Sequence, residues 1–473
     1  MALSASQEAL SRAGTELYLD DLGGGNAVPN EKLSAEKLSA EDAWISKCDL
    51  DAFAADIKAL GKTLAAQQGD ADVRHLNKIV CWQRACTALG VATMAMPLGP
   101  LPFNPIAVWF LSLGVLTRWT IVAHHVCHGG FDKCDTGGRY HRFTFGVGSV
   151  YRRCVDWLDW MLVEAWNVEH NQLHHYSLGE DSDPDLVERN LDNLRQMPAF
   201  LAPVKYLVIA FLTVTWKWFY YAPNTFKVLS LNRMRREADP RLQKLSTQLQ
   251  EDPCVVGDWH FLLGPSSLFF SNVEFFVRVL GPFFTTRFLL LPAAAAAAAA
   301  ALAACGVLPG GAEPLAAAHA AAAASLVNLV LSELLTNAHA FLVVATNHCG
   351  DDLYRFEQHA APRSPSFYMR QVTSSVNFAT GDGRGGHGHA ADCVDFLHGW
   401  LNYQIEHHLW PDLSMLSYQK AAPLVRDLCA KHGVPYVQES VWRRLGKTIS
   451  IIAGRTSMRR YPAAFNRPQD MVA

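Results

Sequence analysis

Long apolar segments constrain the fold of this chain more than any other feature of its sequence. A helix needs about 20 mostly apolar residues to span a bilayer. The sequence predicts four such spans, over residues 79–98, 106–123, 283–305 and 315–346. Charged residues make up only 18% of the 473 positions, whereas they make up about 25% of soluble proteins. We therefore expect an all-α integral membrane protein with four transmembrane helices.

A fifth apolar segment, residues 200–221, differs from these four. It contains Lys205 and Lys217 and ends in the sequence WKWFYY. Aromatic residues concentrate at the membrane–water interface, and lysines anchor helices there. We predict that this segment is an interfacial helix.

Basic residues are distributed unevenly between the connecting segments. The turns at residues 99–105 and 306–314 contain no Lys or Arg, whereas residues 124–282 contain 16. By the positive-inside rule, both termini and the segment 124–282 face the cytosol. Residues 1–75 are acidic, show no targeting signal and are expected to form a weakly ordered cytosolic tail ahead of a membrane domain over residues 76–473. The endoplasmic reticulum is the expected membrane, with a plastid membrane as the alternative.

Eight of the 19 histidines lie in three short groups and one further position, all outside the bilayer by this topology. The groups are HHVCH (His124, His128), HNQLHH (His170, His174, His175) and QIEHH (Gln404, His407, His408), and the eighth histidine is His348. Within each group two residues are four apart, so on a helix they share one face. Neutral imidazole binds iron, zinc and copper well. Because eight ligands are too many for one ion, we expect a pair of metal ions.

The remaining histidines are expected to be ordinary core or surface residues. His125 has no partner at the right spacing, and His387 and His389 stand in a glycine-rich loop. His339 and His398 are the two for which contact with the site stays open. The chain contains no HExxH, GxSxG or Glu-x-x-His motif, so the common zinc-protease, hydrolase and carboxylate di-iron sites are not predicted.

The motifs HxxxH, HxxxHH and QxxHH, in this order and with two spans between the second and the third, resemble those of the membrane-bound fatty acid desaturases. The sequence LNYQIEHHLWPDLSML, followed by APLVRDLCAKHGVPY, resembles the C-terminal signature of the front-end acyl desaturases. The resemblance covers roughly residues 82–446. Two features depart from most front-end relatives. The chain has no His-Pro dipeptide and therefore no His-Pro-Gly-Gly motif of a fused cytochrome b5 domain, and three residues rather than two separate His170 from His174.

The resemblance implies a di-iron centre in a cytosolic helical cap, with O2 as co-substrate. It implies that the iron ligands are His124, His128, His170, His174, His175, His407 and His408, together with His348 at the end of the fourth span. Gln404 is then a weak ligand or a hydrogen-bonding neighbour of a ligand. Glu169, Glu406, Asn347 and Asn377 are candidates to hydrogen-bond the ligating imidazoles.

The implied function is front-end desaturation: insertion of a cis double bond on the carboxyl side of existing double bonds in a polyunsaturated acyl chain. The substrate is an acyl lipid or acyl-CoA, and the electrons come from a separate cytochrome b5 or ferredoxin. Nucleic acid is not an expected partner. Two alternatives stay open. One is a lipid or carotenoid hydroxylase on the same scaffold, and the other is a non-catalytic membrane protein that binds metal or lipid.

Overall fold

The structure is a computed structural model that describes residues 38–243, 272–308, 311–380 and 389–472. The first 37 residues of the predicted tail, and His260 and His387, lie outside the described residues. The α-helices, in chain order, are α1 (Leu50–Ala66), α2 (Asp70–Thr93), α3 (Pro105–Thr117), α4 (His124–Cys127), α5 (Val150–Asp156), α6 (Val163–Trp166), α7 (Val187–Asn190), α8 (Asp192–Arg195), α9 (Ala202–Trp216), α10 (Ala222–Arg236), α11 (Asn272–Glu274), α12 (Gly281–Phe284), α13 (Leu291–Ala304), α14 (Pro314–Val344), α15 (Pro365–Thr373), α16 (His389–Leu397), α17 (Gln404–Leu409), α18 (Met415–His432) and α19 (Val441–Ile452).

Several helices are joined end to end by π-helical or 3-10 segments. The π-helical segments are Arg118–Ala123, Asn167–Leu173, Lys217–Tyr221, Phe275–Leu280 and Thr285–Leu290, and the 3-10 segments are His174–Tyr176, Ala199–Leu201, Ala345–Asn347, Leu401–Tyr403, Ala463–Phe465 and Pro468–Asp470. Two short parallel pairs of strands connect distant parts of the chain: β1 (Tyr354–Arg355) with β4 (Arg459–Arg460), and β2 (Asn377–Phe378) with β3 (Gln438–Glu439).

The long helices form a bundle in which α13 packs along α14, α2 packs along α3, and α3 packs against α14. Buried amides fix this arrangement. The Asn104 side chain accepts hydrogen bonds from the first backbone N–H groups of α3, and Pro105 suits the first helical position. The backbone N–H of Asn104 donates to Asn328 Oδ1 of α14 (2.8 Å). Asn328 Nδ2 in turn donates to the carbonyl of Met94, at the end of α2 (2.9 Å).

Among the described residues, four helical stretches are long and apolar enough to cross a membrane: Pro105–Cys127, Ala199–Arg236, Phe275–Ala304 and Pro314–Asn347. The protein is thus mostly helical with four candidate membrane-spanning helices. Two of these stretches contain the spans predicted at 106–123 and 315–346, and a third covers the span predicted at 283–305 except for its last residue. The span predicted at 79–98 differs, because α2 ends at Thr93 and is not among the four. The charged residues of α2, which include Asp72, Lys78 and Arg84, lower the mean hydropathy of this helix.

The stretch Ala199–Arg236 contains the segment predicted to be interfacial. Both of its ends contact the cap, which comprises α1, α5–α8, α15–α19 and their connecting loops. Lys205 Nζ donates to the carbonyl of Ala453, just after α19 (2.9 Å), and α10 packs against α6 and the π-helical segment that follows α6. Between these ends, Trp216 Nε1 donates to the carbonyl of Asn337 in α14 (3.0 Å). Helix α9 also packs along α14, so these contacts fit either position, and which helices cross the membrane stays a prediction.

Helix α1 lies inside the segment that the sequence predicts to be a weakly ordered tail, so the structure differs from that prediction over residues 50–66. Phe53 and Ile57 are fully buried, and α1 packs against α15 and α18 of the cap. Asp49 caps the helix through hydrogen bonds from two backbone N–H groups. The acidic composition obscured a helical pattern of apolar residues that continues to Leu64. These side chains pack α1 against the rest of the cap.

Candidate metal centre

The predicted ligand histidines converge from four parts of the chain into two neighbouring clusters. The first cluster contains His124, His128, His170, His175 and His407, and the second contains His174, His348 and His408. Within each cluster the potential ligand atoms all lie within 4.8 Å of one another. All eight predicted ligands are therefore close together in the fold, in two sets, as expected for two ions.

The histidines lie on or next to short helical segments, some of which depart from regular α-helical geometry. The π-helical segment Arg118–Ala123 leads from α3 into α4, which carries His124 and ends one residue before His128. The second group lies on the π-helical segment Asn167–Leu173 and the 3-10 turn His174–Tyr176. His348 follows the 3-10 turn that ends α14, and α17 supplies the third group. Single π-turns inside helices occur frequently at functional sites.

The spacing rule holds for only part of the clusters. His124 and His128, four residues apart, share the first cluster as predicted. In the second group both spacings occur. His170 shares the first cluster with His175, five residues later, and a further set with His174, four residues later, and Asp185, while His174 also belongs to the second cluster. The five-residue spacing fits the π-helical segment, because its hydrogen bonds run from residue i to i+5 rather than i+4.

The approach distances between imidazoles fit metal ligands. His170 Nε2 lies 3.1 Å from His124 Nε2, and His407 Nε2 lies 3.1 Å from His175 Nε2. Two nitrogens bound at right angles to one ion, with bonds of about 2.1 Å, lie about 3.0 Å apart. In the second cluster, His408 Nε2 lies 3.3 Å from the Nε2 of His348. Such converging nitrogens fit two transition-metal ions.

Burial favours the neutral, metal-binding form of several of these imidazoles. It lowers the pKa of His175, His407 and His408 well below the ordinary value. It also lowers the pKa of His348 to about 3. Neutral imidazole has one unprotonated nitrogen available as a ligand, so an ion can bind without first displacing a proton from these residues.

Four of the predicted ligand imidazoles have a hydrogen-bond partner at Nδ1, which leaves Nε2 for a metal. His174 Nδ1 lies 2.9 Å from Asp183 Oδ1. Burial alone would lower the pKa of His174, but the Asp183 carboxylate raises it above its ordinary value. His407 Nδ1 lies 3.3 Å from the Tyr418 hydroxyl. The other two partners are main-chain carbonyls, Thr120 O for His124 (3.2 Å) and Ser374 O for His348 (3.3 Å).

Sequence reasoning missed Asp183 and Tyr418 as partners of the ligands. The only signal for Asp183 is its place in the acidic run EDSDPD, which follows the second histidine group within a few residues. Tyr418 follows the third group by ten residues and carries no such signal. Its hydroxyl donates to the carbonyl of Trp410 (2.9 Å), so its lone pair is available to accept from His407.

The four residues proposed to hold the imidazoles have other prominent contacts. Asn377 Nδ2 donates to Glu406 Oε2 (2.7 Å), and Asn377 Oδ1 accepts from the backbone N–H of Ile405 (3.0 Å). These bonds fix the start of α17 rather than an imidazole ring. Asn347 Nδ2 donates to the carbonyl of Leu401 (3.0 Å), and Glu169 Oε1 accepts from Asn224 Nδ2 (3.3 Å).

Three of the histidines set aside or left open in the sequence lie outside both clusters. His339 Nε2 is 2.8 Å from the carbonyl of Leu397, and His398 Nδ1 is 2.9 Å from the carbonyl of Val394. His125 is buried next to the first cluster, but its Nδ1 lies 2.6 Å from the carbonyl of Ile121. These bonds are to main-chain oxygens, as expected for structural histidines.

Comparison with known proteins identifies the family. A family model described as fatty acid desaturase matches residues 103–440, which is most of the chain. The chain belongs to the fatty acid desaturase family.

Individual relatives are similar either over short segments or at low identity. A fatty acid desaturase 2-like protein of Mus musculus is 41% identical over 64 residues, which are 14% of this chain and 13% of that protein. A putative protein of the same description from Homo sapiens is 53% identical over 51 residues, 11% of each chain. The NADPH-dependent stearoyl-CoA 9-desaturase of Mycobacterium tuberculosis is 22% identical over 419 residues, 87% of this chain and 81% of that protein. No solved structure matches the chain.

The matches to the mouse and human proteins span little more than a tenth of those relatives' length. They support the family and a likeness to desaturase 2-like proteins, and they do not extend over whole chains.

An apolar cavity reaches both clusters of this desaturase-family protein from one side. Most of its lining is aliphatic or aromatic, and His124, His170, His174 and His348 line it where it meets the clusters. Other residues of the lining come from the π-helical segment before α4, from α9 and from α14, and they include Trp119, Leu212, Trp216, Phe341 and Val344.

Gln404 and Asp185 are among the polar side chains that line this mostly apolar cavity. Gln404 Oε1 is buried and has no hydrogen-bond partner among the described residues, which agrees with a side chain close to the metal ions. Asp185 forms a potential ligand set with His170 and His174, and burial raises its pKa to about 6. Asp185 is a second acidic residue that sequence reasoning missed.

A second, polar cavity of about 580 Å³ reaches the clusters of this desaturase-family protein through a different set of histidines: His128, His175 and His408. The Nδ1 atoms of His175 and His408 are buried and have no hydrogen-bond partner among the described residues. The histidines that line this cavity are not those that line the apolar one.

Proposed function

We propose that this protein is a front-end fatty acyl desaturase that inserts a cis double bond on the carboxyl side of existing double bonds. The overall reaction consumes one O2, two electrons and two protons for each double bond and releases two waters. The family match supports desaturation. The likeness to desaturase 2-like proteins and the sequence QIEHH, with Gln404 at its start, support the front-end assignment.

The observation that carries the proposal is the apolar cavity that ends on two histidine clusters. An unactivated methylene chain has no polar group for a protein to hold, so an apolar enclosure has to position it. The cavity has a volume of about 160 Å³. A cavity of about 150 Å³ in another protein binds benzene. By that comparison, this cavity accommodates a segment of about six carbon atoms beside the clusters.

The histidine clusters fit two irons, with the eight imidazoles named above as ligands. Irons supply the one-electron oxidation by O2 that removal of hydrogen from an unactivated carbon requires, which no acid or base side chain provides. The protein residues position the substrate and exclude water. The indole rings of Trp119 and Trp216 and the ring of Phe341 form apolar walls that keep most of the acyl chain away from the clusters.

The location and partners are part of the same proposal. We propose an endoplasmic reticulum protein whose histidine clusters face the cytosol, where reduced cytochrome b5 or ferredoxin supplies the electrons. A plastid membrane stays the alternative. An acyl lipid or an acyl-CoA is the substrate, and the acyl chain enters the apolar cavity in either case.

The test is gas chromatography with mass spectrometry of total fatty acids from yeast that expresses the chain. The cells are fed oleic, linoleic or α-linolenic acid. We expect a product two mass units lighter than the fed acid, with the new double bond on its carboxyl side. A double bond on the methyl side would contradict the front-end assignment, and a product sixteen units heavier would instead indicate a hydroxylase.

A further inference from the structure

The polar cavity has an excess of unpaired positive charge at its rim. Three arginines line it: Arg142, Arg236 and Arg363. Arg142 pairs with Asp132. The guanidinium groups of Arg236, at the C-terminus of α10, and Arg363, in the turn before α15, have no carboxylate or hydrogen-bond partner among the described residues. Both residues are exposed.

The acidic residues of the same cavity do not cancel this charge. Asp412 lies 3.4 Å from Lys133, so its charge is already balanced. Glu164 is the other carboxylate of the lining. The two unpaired arginines and this one carboxylate leave the rim net positive. Two cations from separate parts of the chain thus converge on one opening.

The backbone of Arg363 supports a functional role for this rim. Its φ is +65°, in the left-handed region that a non-glycine residue rarely adopts. Such strained residues cluster at binding sites, where the surrounding structure holds them in place. The same cavity is also lined by His128, His175 and His408, so it joins the exposed arginines to the buried histidine clusters.

We propose that the polar cavity is the docking site of the electron donor, a redox protein with an acidic face, and that Arg236 and Arg363 bind that face. This inference rests on the proposed function, because the reaction needs two electrons that no residue of the chain supplies. The donor delivers them one at a time, so two donor molecules are oxidised for each double bond formed. The apolar cavity is left to the acyl chain, and the two partners do not compete for one opening.

The experiment compares the wild-type protein with the double variant Arg236→Glu and Arg363→Asn, both as the full chain in detergent. Asparagine is chosen at position 363 because it tolerates the left-handed backbone. The matched control is Arg443→Glu on α19, since Arg443 is also exposed and does not line the cavity. Each protein is assayed with two probes, the reduced soluble domain of cytochrome b5 and a reduced plant-type ferredoxin. A third assay supplies electrons from dithionite.

We expect the double variant to raise the KM for the donor on the order of tenfold, because charge at an interface rim steers association. The rate of the wild-type protein should fall with added salt, and that of the double variant should depend on salt much less. Product formed with dithionite should not change. The control variant should behave as the wild-type protein in all three assays.

Other outcomes would overturn the inference. An unchanged KM for both donors in the double variant would mean that the rim does not bind them. A raised KM for the acyl substrate, with the KM for the donor unchanged, would assign the cavity to an anionic end of the substrate instead. If the wild-type protein forms no product even with dithionite, the proposed function itself fails, which is distinguishable from a failure of docking.

Discussion

Asp183 is the residue whose change gives the sharpest test of the metal centre. Its carboxylate is buried and accepts three hydrogen bonds, from His174 Nδ1 (2.9 Å), from the backbone N–H of Asp185 (2.9 Å) and from the backbone N–H of Gly179 (3.0 Å). In Asp183→Asn, one side-chain oxygen remains. Whichever way the amide lies, its NH2 group faces a donor, and at least one buried donor loses its partner.

The size of the effect follows from these contacts. Hydrogen bonds to a charged acceptor are roughly twice as strong as neutral ones, and a buried unpaired donor costs about 1–3 kcal/mol. Loss of a carboxylate that holds a ligand imidazole typically lowers metal affinity about 10- to 100-fold, or about 1.4–2.8 kcal/mol. Because His174 is one of only three histidines in the second cluster, we expect this loss at one ion and not at both.

The assay measures iron per chain by mass spectrometry of the purified protein at a fixed chelator concentration, together with fatty acid products in yeast. Asp183→Asn should fall from two irons towards one and lose most of its product. The control is Asp181→Asn in the same loop, where an exposed carboxylate pairs with Arg355 (2.6 Å). Such a surface pair contributes about 0–1 kcal/mol. Full iron content and full product in Asp183→Asn, or equal losses in the control, would refute the reasoning.

Three further changes test other parts of the structure. His407→Ala removes a ligand of the first cluster, so iron content and product should fall together, and unchanged product would contradict the ligand assignment. Leu212→Trp should fill the apolar cavity and abolish product with iron retained, whereas Leu207→Trp on the exposed face of the same helix should change neither. Lys217→Met leaves Asp159, 2.7 Å away and equally buried, without its partner, which costs about 3–5 kcal/mol. The melting temperature in detergent should fall, and the double change with Asp159→Leu should restore most of it, so a double variant that melts below the single one would argue against this account.

The histidine groups were predictable because their chemistry depends on residue type and short spacing. The candidate spanning helix near residues 283–305 could also be predicted without tertiary information, because a long, mostly apolar segment is signal enough. The structure has a candidate spanning helix there. The acidic segment 50–66 shows the opposite case. Its charge suggested weak order, while Phe53 and Ile57, four residues apart, carried the signal for a helix packed on the cap.

The partners of the ligand imidazoles could not be predicted in the same way. Asp183 reaches His174 only because the chain turns back after Gly179, whose φ is +72°, and a position nine residues away has no fixed place relative to a helix. The place of His175 in the same cluster as His170, five residues earlier, has a similar cause. A reading based on 3.6 residues per turn cannot anticipate where a helix widens to the i+5 pattern.

The π-helical segment Asn167–Leu173 also bears on how the two known spacings of this motif, HxxxHH and HxxHH, are related. A π-turn is an α-turn that holds one additional residue, so a one-residue insertion can be stored in the helix without displacing what comes before or after it. Removal of a single residue between His170 and His174 would then tighten this turn and leave the same imidazoles facing the same two clusters. The difference in length between the two spacings would then be a local change in helical pitch. Insertions and deletions in the other histidine groups should be tolerated only where a similar widened turn can absorb them.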